Sequence, residues 1–295
     1  MPQTKSPSPP ALLSRGLLMM VGAAFFFSLM SAFVKSLGGT LPSQEIVLVR
    51  SAVTLGYSYA LVRWAGKALW GNNRTLLVLR GLFGLGGMSC FFWALTALPL
   101  ADATVLHYTN PVITTLLAAL VLDETLGRAE IGGALLSLAG VALIAQPSFL
   151  FDGASGLNPA YVGVALGGAF FSSCAYVTVR KLRATEDPLV IVLYFPLVAT
   201  LGSIPLTAAA QPAWPTLWEW AVLVLGVAVT AQIAQILLTN GLHAERAGRA
   251  MSMTYLQIVF AAVWGVLFFD EMPDLWSAAG AVLVVGGTLL VARGK

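Results

Sequence analysis

The side chains of this chain that could bind or move a small polar solute are few, and they fall into groups at helical spacing. His107, Tyr108 and Asn110 stand together just before Pro111. A proline inside a helix removes one backbone donor, which frees the carbonyl near position 107 for another partner or for a cavity. His107 titrates near pH 6.5 in water, so it is read either as a neutral hydrogen-bonding group or as a proton carrier. Gln232, Gln235 and Thr239 step by three and four and share one helix face. Amides facing lipid are costly, so that face should meet protein or water, and gluing helices together is its plainer use. Thr254, Tyr255 and Gln257 form a third group, with Met251 and Met253 offering adaptable apolar surface beside them. Met88 and Trp93 lie in one apolar stretch, Ser173 and Tyr176 in another, Ser28 and Ser31 in a third. Serines in apolar helices often bond their own backbone, which makes them weaker candidates.

Other chemistry is missing. No Asp or Glu sits near the middle of an apolar stretch, and the two histidines, His107 and His243, show no metal-ligand spacing. No catalytic residue, metal or cofactor is therefore expected. Cys90 and Cys174 both fall inside apolar stretches and read as small packing residues. The glycines have no strand before them, so nucleotide-loop readings fail their context test.

The elements that must position these groups are membrane spans. Apolar residues make up 58% of the 295, charged residues only 10%, and the mean hydropathy is +0.85. Almost every window of about 20 residues is apolar enough to cross a bilayer. Ten spans are expected, near 15–36, 43–64, 74–97, 101–122, 127–146, 159–182, 188–209, 216–241, 247–269 and 274–293. Residues 1–12 are expected to be a disordered cytoplasmic tail, and no signal peptide is read there. With the N-terminus in the cytoplasm, every lysine and arginine except Lys35 and Arg50 falls on the inner side, Arg80 included. That is a strong positive-inside pattern, so the basic pI of about 9.0 needs no nucleic-acid partner. Arg50, inside the second span, is read as a gating or structural residue that pairs with Glu45 or bonds carbonyls.

The chain is duplicated. Leu98–Gly140 runs beside Glu245–Gly287 without a gap, so that Tyr108 falls on Tyr255, Asp123-Glu124 on Asp270-Glu271, Gly133 on Gly280 and Gly140 on Gly287. Val21–Ser28 likewise falls on Leu166–Ser173, and Lys35 on Arg180. Two five-span repeats, 13–146 and 159–295, are joined by a linker at 147–158. Five is odd, so the second repeat must enter the membrane upside down, which is the usual basis of alternating access. Gly133, Ser137 and Gly140, with Gly280 and Gly287, read as close-packing surfaces. The two Asp-Glu pairs read as caps or loop bonds.

The ordered set Phe92-Trp93-Ala94-Leu95, Asn110-Pro111, Leu122-Asp123-Glu124-Thr125 and Gly132-Gly133, echoed by Asn240-Gly241-Leu242, Phe269-Asp270-Glu271 and Gly280, resembles the drug/metabolite transporter superfamily, EamA type. Within it the chain looks most like the amino-acid exporters, including the aromatic type. The resemblance implies an all-α basket of ten helices, with a central cavity lined by spans 1, 3, 4, 6, 8 and 9 and with spans 5 and 10 behind. An inner-membrane amino-acid exporter, functional as a monomer, is expected, and a cavity of amides and hydroxyls without fixed charge suits zwitterionic or neutral solutes. The rivals are a proton-coupled drug or metabolite exporter using His107, a nucleotide-sugar carrier, a channel or receptor, and an intramembrane enzyme.

Overall fold

The computed structural model describes residues 13–37, 40–151, 157–209 and 213–294. The expected N-terminal tail and much of the expected linker lie outside them. Helices run α1 Arg15–Ser36, α2 Ser43–Trp64, α3 Arg74–Ala97, α4 Leu100–His107, α5 Asn110–Leu122, α6 Arg128–Ala145 and the short α7 Ser148–Phe151. The second half follows with α8 Pro159–Leu182, α9 Pro188–Ala209, α10 Leu217–Ala221, α11 Val229–Ala244, α12 Ala247–Ser252, α13 Leu256–Phe269 and α14 Leu275–Arg293. No strand occurs among the described residues. Among the described residues, ten stretches are long and apolar enough to span a bilayer, and the largest shift from the expected spans is three residues. The chain is a multi-pass membrane protein.

Two spans are broken at equivalent places. α4 stops at His107 and α5 starts at Asn110 because Pro111 cannot donate to the turn before it. The freed His107 carbonyl accepts the Asn110 side-chain amide at 2.8 Å instead. In the second half the chain tightens into a single 3₁₀ turn at Met253–Tyr255, between α12 and α13, with no proline present. Both breaks fall at the repeated tyrosine. The eighth span widens through Val222–Ala228 between α10 and α11, where Gly226 lies against the Phe33 ring.

The helix ends gather at two faces. The ends of α5, α8 and α11 gather with the starts of α1, α6 and α12 at one face, held by Arg180, Glu124, Glu130, Arg246 and Glu245. The ends of α1 and α13 gather at the other, where Lys35 meets Glu271. Exposed tryptophans mark both levels: Trp64 and Trp70 toward the Arg180 face, Trp214, Trp218 and Trp276 toward the Lys35 face. Indole rings favour the headgroup region, so these read as two interfacial belts.

The back of the bundle is the α6–α14 seam. Gly133 stands against the Gly287 carbonyl and Gly140 against the Gly280 carbonyl, so the two repeated glycines pack crosswise. A Cβ on Gly140 would fall 2.5 Å from the Gly280 oxygen. Only glycine lets these backbones touch, which in lipid replaces the missing hydrophobic drive. Gly81, Gly84 and Gly87 do the same for α3, the first two against Tyr194, Phe195 and Val198 of α9 and the third against Ser172 of α8.

Candidate functional site

A cavity of about 560 Å³ opens at the Lys35 face. Its wall comes from α1 (Ser28, Ser31, Lys35), α4 (Thr104) and α13 (Ile258, Trp264), and the ends of α6 and α14 flank the mouth. Lys35 lies seven residues beyond Ser28 on α1, so the cavity reaches roughly 10 Å into the bundle. The six spans implied by family resemblance are thus not the observed lining: α3, α8 and α11 contribute nothing to it, and the ends of the two back spans do.

Ser28 and Ser31, named from the sequence, line this cavity, and the repeated tyrosines lie below its floor. Tyr108 and Tyr255 sit about one turn deeper than Thr104 and Ile258, and their rings stack with centroids 6.1 Å apart. Tyr255 is fully buried and its hydroxyl has no partner. Tyr176 lies within electrostatic range of Tyr108. It is within the same range of Arg50 and Arg80. Beside that pair a pocket of about 10 Å³ is lined by Arg50, Thr54, Phe195, Gln232 and Gln235. The Gln235 amide nitrogen and the Thr239 hydroxyl are buried without partners.

Several expected site residues are already engaged. Gln232 exchanges hydrogen bonds with Ser58 of α2 at 3.0 and 3.1 Å, so it joins helices. The Ser173 hydroxyl donates to the Asn110 carbonyl at 2.9 Å and ties α8 to the break in the fourth span. Thr254 bonds the Met251 carbonyl within its own turn. Gln257, on the first turn of α13, is half-buried. The His107 ring lies 4.4 Å from the Phe91 ring, away from the cavity lining, with Nδ1 unpartnered. Pro111 serves the break alone.

Three expectations need correction. Trp93 is 61% exposed and stands three turns along α3 from exposed Leu82, so it is on the outward face and not a cavity wall. Arg50 does not pair with Glu45, which accepts the Ala213 backbone N–H at 2.9 Å; the Arg50 Nη1 reaches the Met88 sulfur at 3.8 Å. Arg80 is not at the membrane surface. It is 3% exposed, six residues into α3, with its guanidinium 4.4 Å over the Phe195 ring. Charge counting alone placed it with Arg74, although its position inside the span was a visible signal.

The two ends of the bundle differ. At the Arg180 face, Arg180 Nε lies 2.7 Å from Glu124 Oε1, with the two side chains 6% and 15% exposed. Glu124 also accepts the Ala247 N–H at 2.8 Å, and Arg180 Nη1 donates to the carbonyls of Leu242 and His243 at 3.0 and 3.1 Å. Arg246 pairs with Glu130, Arg249 with Glu245, and Ser14 bonds Glu245. Leu17, Met20, Met251 and Met253 pack beneath this lattice. At the opposite face the equivalent pair, Lys35 and Glu271, meets at the cavity mouth with side chains 48% and 57% exposed. Asp123 and Asp270 turn both corners in the left-handed conformation, at φ 53° and 55°, which aims the following glutamate across the bundle.

An all-helical membrane bundle with a one-sided cavity and paired ionic closures belongs to the class of small-molecule carriers. The EamA-like transporter family matches the chain twice, at residues 14–146 and 160–293, and the chain belongs to that family. Among its relatives, the pseudopaline exporter CntI of Pseudomonas aeruginosa is 38% identical over 96% of this chain and 98% of its own. Human solute carrier family 35 member G1 is 28% identical over 98% of this chain and 81% of its own. A solved crystal structure superposes with a TM-score of 0.81 at 23% identity, covering 93% of this chain and 95% of that one. The protein is thus a membrane transporter and not an enzyme.

Proposed function

We propose that this chain is an inner-membrane exporter that moves amino acids and related metabolites by alternating access, with the Arg180 face in the cytoplasm. The observation that carries the reading is the pair of equivalent ion pairs. Each couples the glutamate ending one half's fourth span to the cation ending the other half's first span, and one is buried while the other is exposed. Exchanging the two environments turns a cavity open at one face into a cavity open at the other, which is what an inverted repeat permits. Nearly all basic residues lie toward the Arg180 face, which supports its cytoplasmic placement. The CntI relative, an exporter by its name, supports the direction. No carboxylate faces the cavity floor among the described residues, so export is proposed to run without a dedicated proton site.

The test uses purified protein in liposomes without an ion gradient. Labelled leucine, phenylalanine, threonine and lysine should equilibrate, and a cationic drug should not. In a background with Cys90 and Cys174 replaced by serine, Ser252→Cys should be shielded from an impermeant alkylating reagent at the Arg180 face. Adding Glu124→Gln should expose it. Unchanged labelling would remove the gate, and drug flux appearing only with a pH gradient would overturn both substrate class and mechanism.

A further inference from the structure

Two guanidiniums in the interior have no acid to answer them. Among the described residues, no carboxylate lies within ion-pair distance of Arg50 or Arg80. The acids near the faces are committed elsewhere: Glu45 to Ala213, Asp102 to Ser148, Glu186 to Asn72 and Asn73, Glu219 to Thr216. Arg80 Nε and Nη1 have no hydrogen-bond partner at all, and the Phe195 ring covers the group. Arg50 has only a thioether nearby as a weak acceptor. The Phe195 ring that covers Arg80 also lines the small pocket beside Arg50, so one side chain links the two. Arg50 is half-buried, and Arg80 at 3% exposure is a buried unpaired charge, among the costliest features a fold can carry. Beside Arg50 in the small pocket stands a further orphaned donor, the Gln235 amide.

We infer that Arg50 and Arg80 are the counter-charges for a substrate of net negative charge, which presents one or more carboxylates to them and to the Gln235 amide. The inference rests on the exporter reading and, within it, ranks acidic amino acids and carboxylate-rich metabolites above neutral and basic ones. A neutral zwitterion would leave the site two charges short, and each added carboxylate closes that gap by one. Guanidiniums match carboxylates in a bidentate geometry, which an ammonium side chain cannot copy.

The closed state of the pocket fits the same account. At about 10 Å³ it is shut while the cavity stands open to the Lys35 face. An exporter that has released its cargo outward should have its loading pocket collapsed. Arg80 lies six residues, or about 9 Å, in from the Arg180 face end of α3. The smooth contact of Gly81 and Gly84 on α9 lies beside it, where a shift of α3 would uncover both guanidiniums.

The experiment has two arms. In liposomes, labelled glutamate should move about tenfold faster than labelled glutamine, and Arg80→Gln should remove that advantage. In detergent, succinate should raise the melting temperature of the full chain and neutral succinamide should not. Arg80→Gln should lose this response while its own melting temperature stays at or above the original, because it deletes an unpaired charge. Arg80→Lys should keep part of the response, and Arg50→Gln serves if Arg80→Gln does not fold. Equal flux of the two amino acids, or an undiminished succinate response in Arg80→Gln and Arg50→Gln, overturns the anion site and leaves the exporter reading standing. A normal succinate response with no amino-acid flux does the reverse.

Discussion

The Tyr255 ring stacks on the Tyr108 ring, 6.1 Å between centroids, and the two residues are equivalents in the duplicated sequence. The pair brings two matched positions of the sequence together beneath the cavity floor. Tyr255 carries an orphaned hydroxyl there. Tyr255→Phe removes only that group, so thermal stability should change by no more than about 1 kcal/mol. Transport should fall at least tenfold if the hydroxyl meets the substrate, since a hydroxyl-to-charge bond is worth about 1.5–3 kcal/mol. Melting curves beside liposome flux separate the two effects, and unchanged flux would take Tyr255 out of the pathway.

Gly140 sits where α6 and α14 touch backbone to backbone. Gly140→Val must push the helices apart or distort the turn, and should cost about 1–3 kcal/mol or more. Gly286, with open space around its Cβ position, is the control: Gly286→Ala should leave the melting temperature unchanged or raise it. Equal losses at both positions would mean that helix propensity and not the seam sets the effect.

The start of α14 should be sensitive to acid. The Ser277 N–H, the Ser277 hydroxyl and the Gln146 amide hold the Asp274 carboxyl below its usual range. A carboxylate whose pKa is lowered by folding contributes stability above its unfolded value, and loses it as pH falls through the folded one. The melting-temperature gap between the original chain and Asp274→Asn should thus be present at neutral pH and close below about pH 3.8. A gap that persists in acid would show that the cap works without its charge.

His107 lies against Phe91, outside the lining of the open cavity. Collapsing a pH gradient at fixed substrate gradient should leave flux unchanged, and His107→Gln should keep most of it. Flux that depends on the gradient and vanishes in His107→Gln would establish the proton-coupled alternative instead.

Much of the architecture was legible in the residues themselves. The span boundaries follow from long apolar runs, because a bilayer enforces helix length and internal hydrogen bonding. Pro111 announced the break in the fourth span. The break at Tyr255 has no proline and is visible only through its alignment with Tyr108. The Gly133, Gly140, Gly280 and Gly287 set announced a close helix seam, and the fold supplied the crosswise pairing.

The site was less legible, for a physical reason. A helix pattern tells which residues share a face, but the neighbour on that face is chosen by packing between distant segments. Gln232 and Gln235 stand three residues apart on one face, yet one is satisfied by Ser58 and the other has an orphaned amide nitrogen. Trp93 and Met88 are five residues apart and face opposite media, one outward and one toward Arg50. By itself, then, the sequence determined the span count, the duplication and the lack of acids in the membrane interior, since these depend only on local composition and order. The tertiary structure alone decided that Glu124 and Arg180 meet buried while Glu271 and Lys35 meet in the open, and that Arg50 and Arg80 stand in the bundle with no acid against them. Those outcomes depend on which faces of far-separated helices meet, and on how much solvent each meeting excludes.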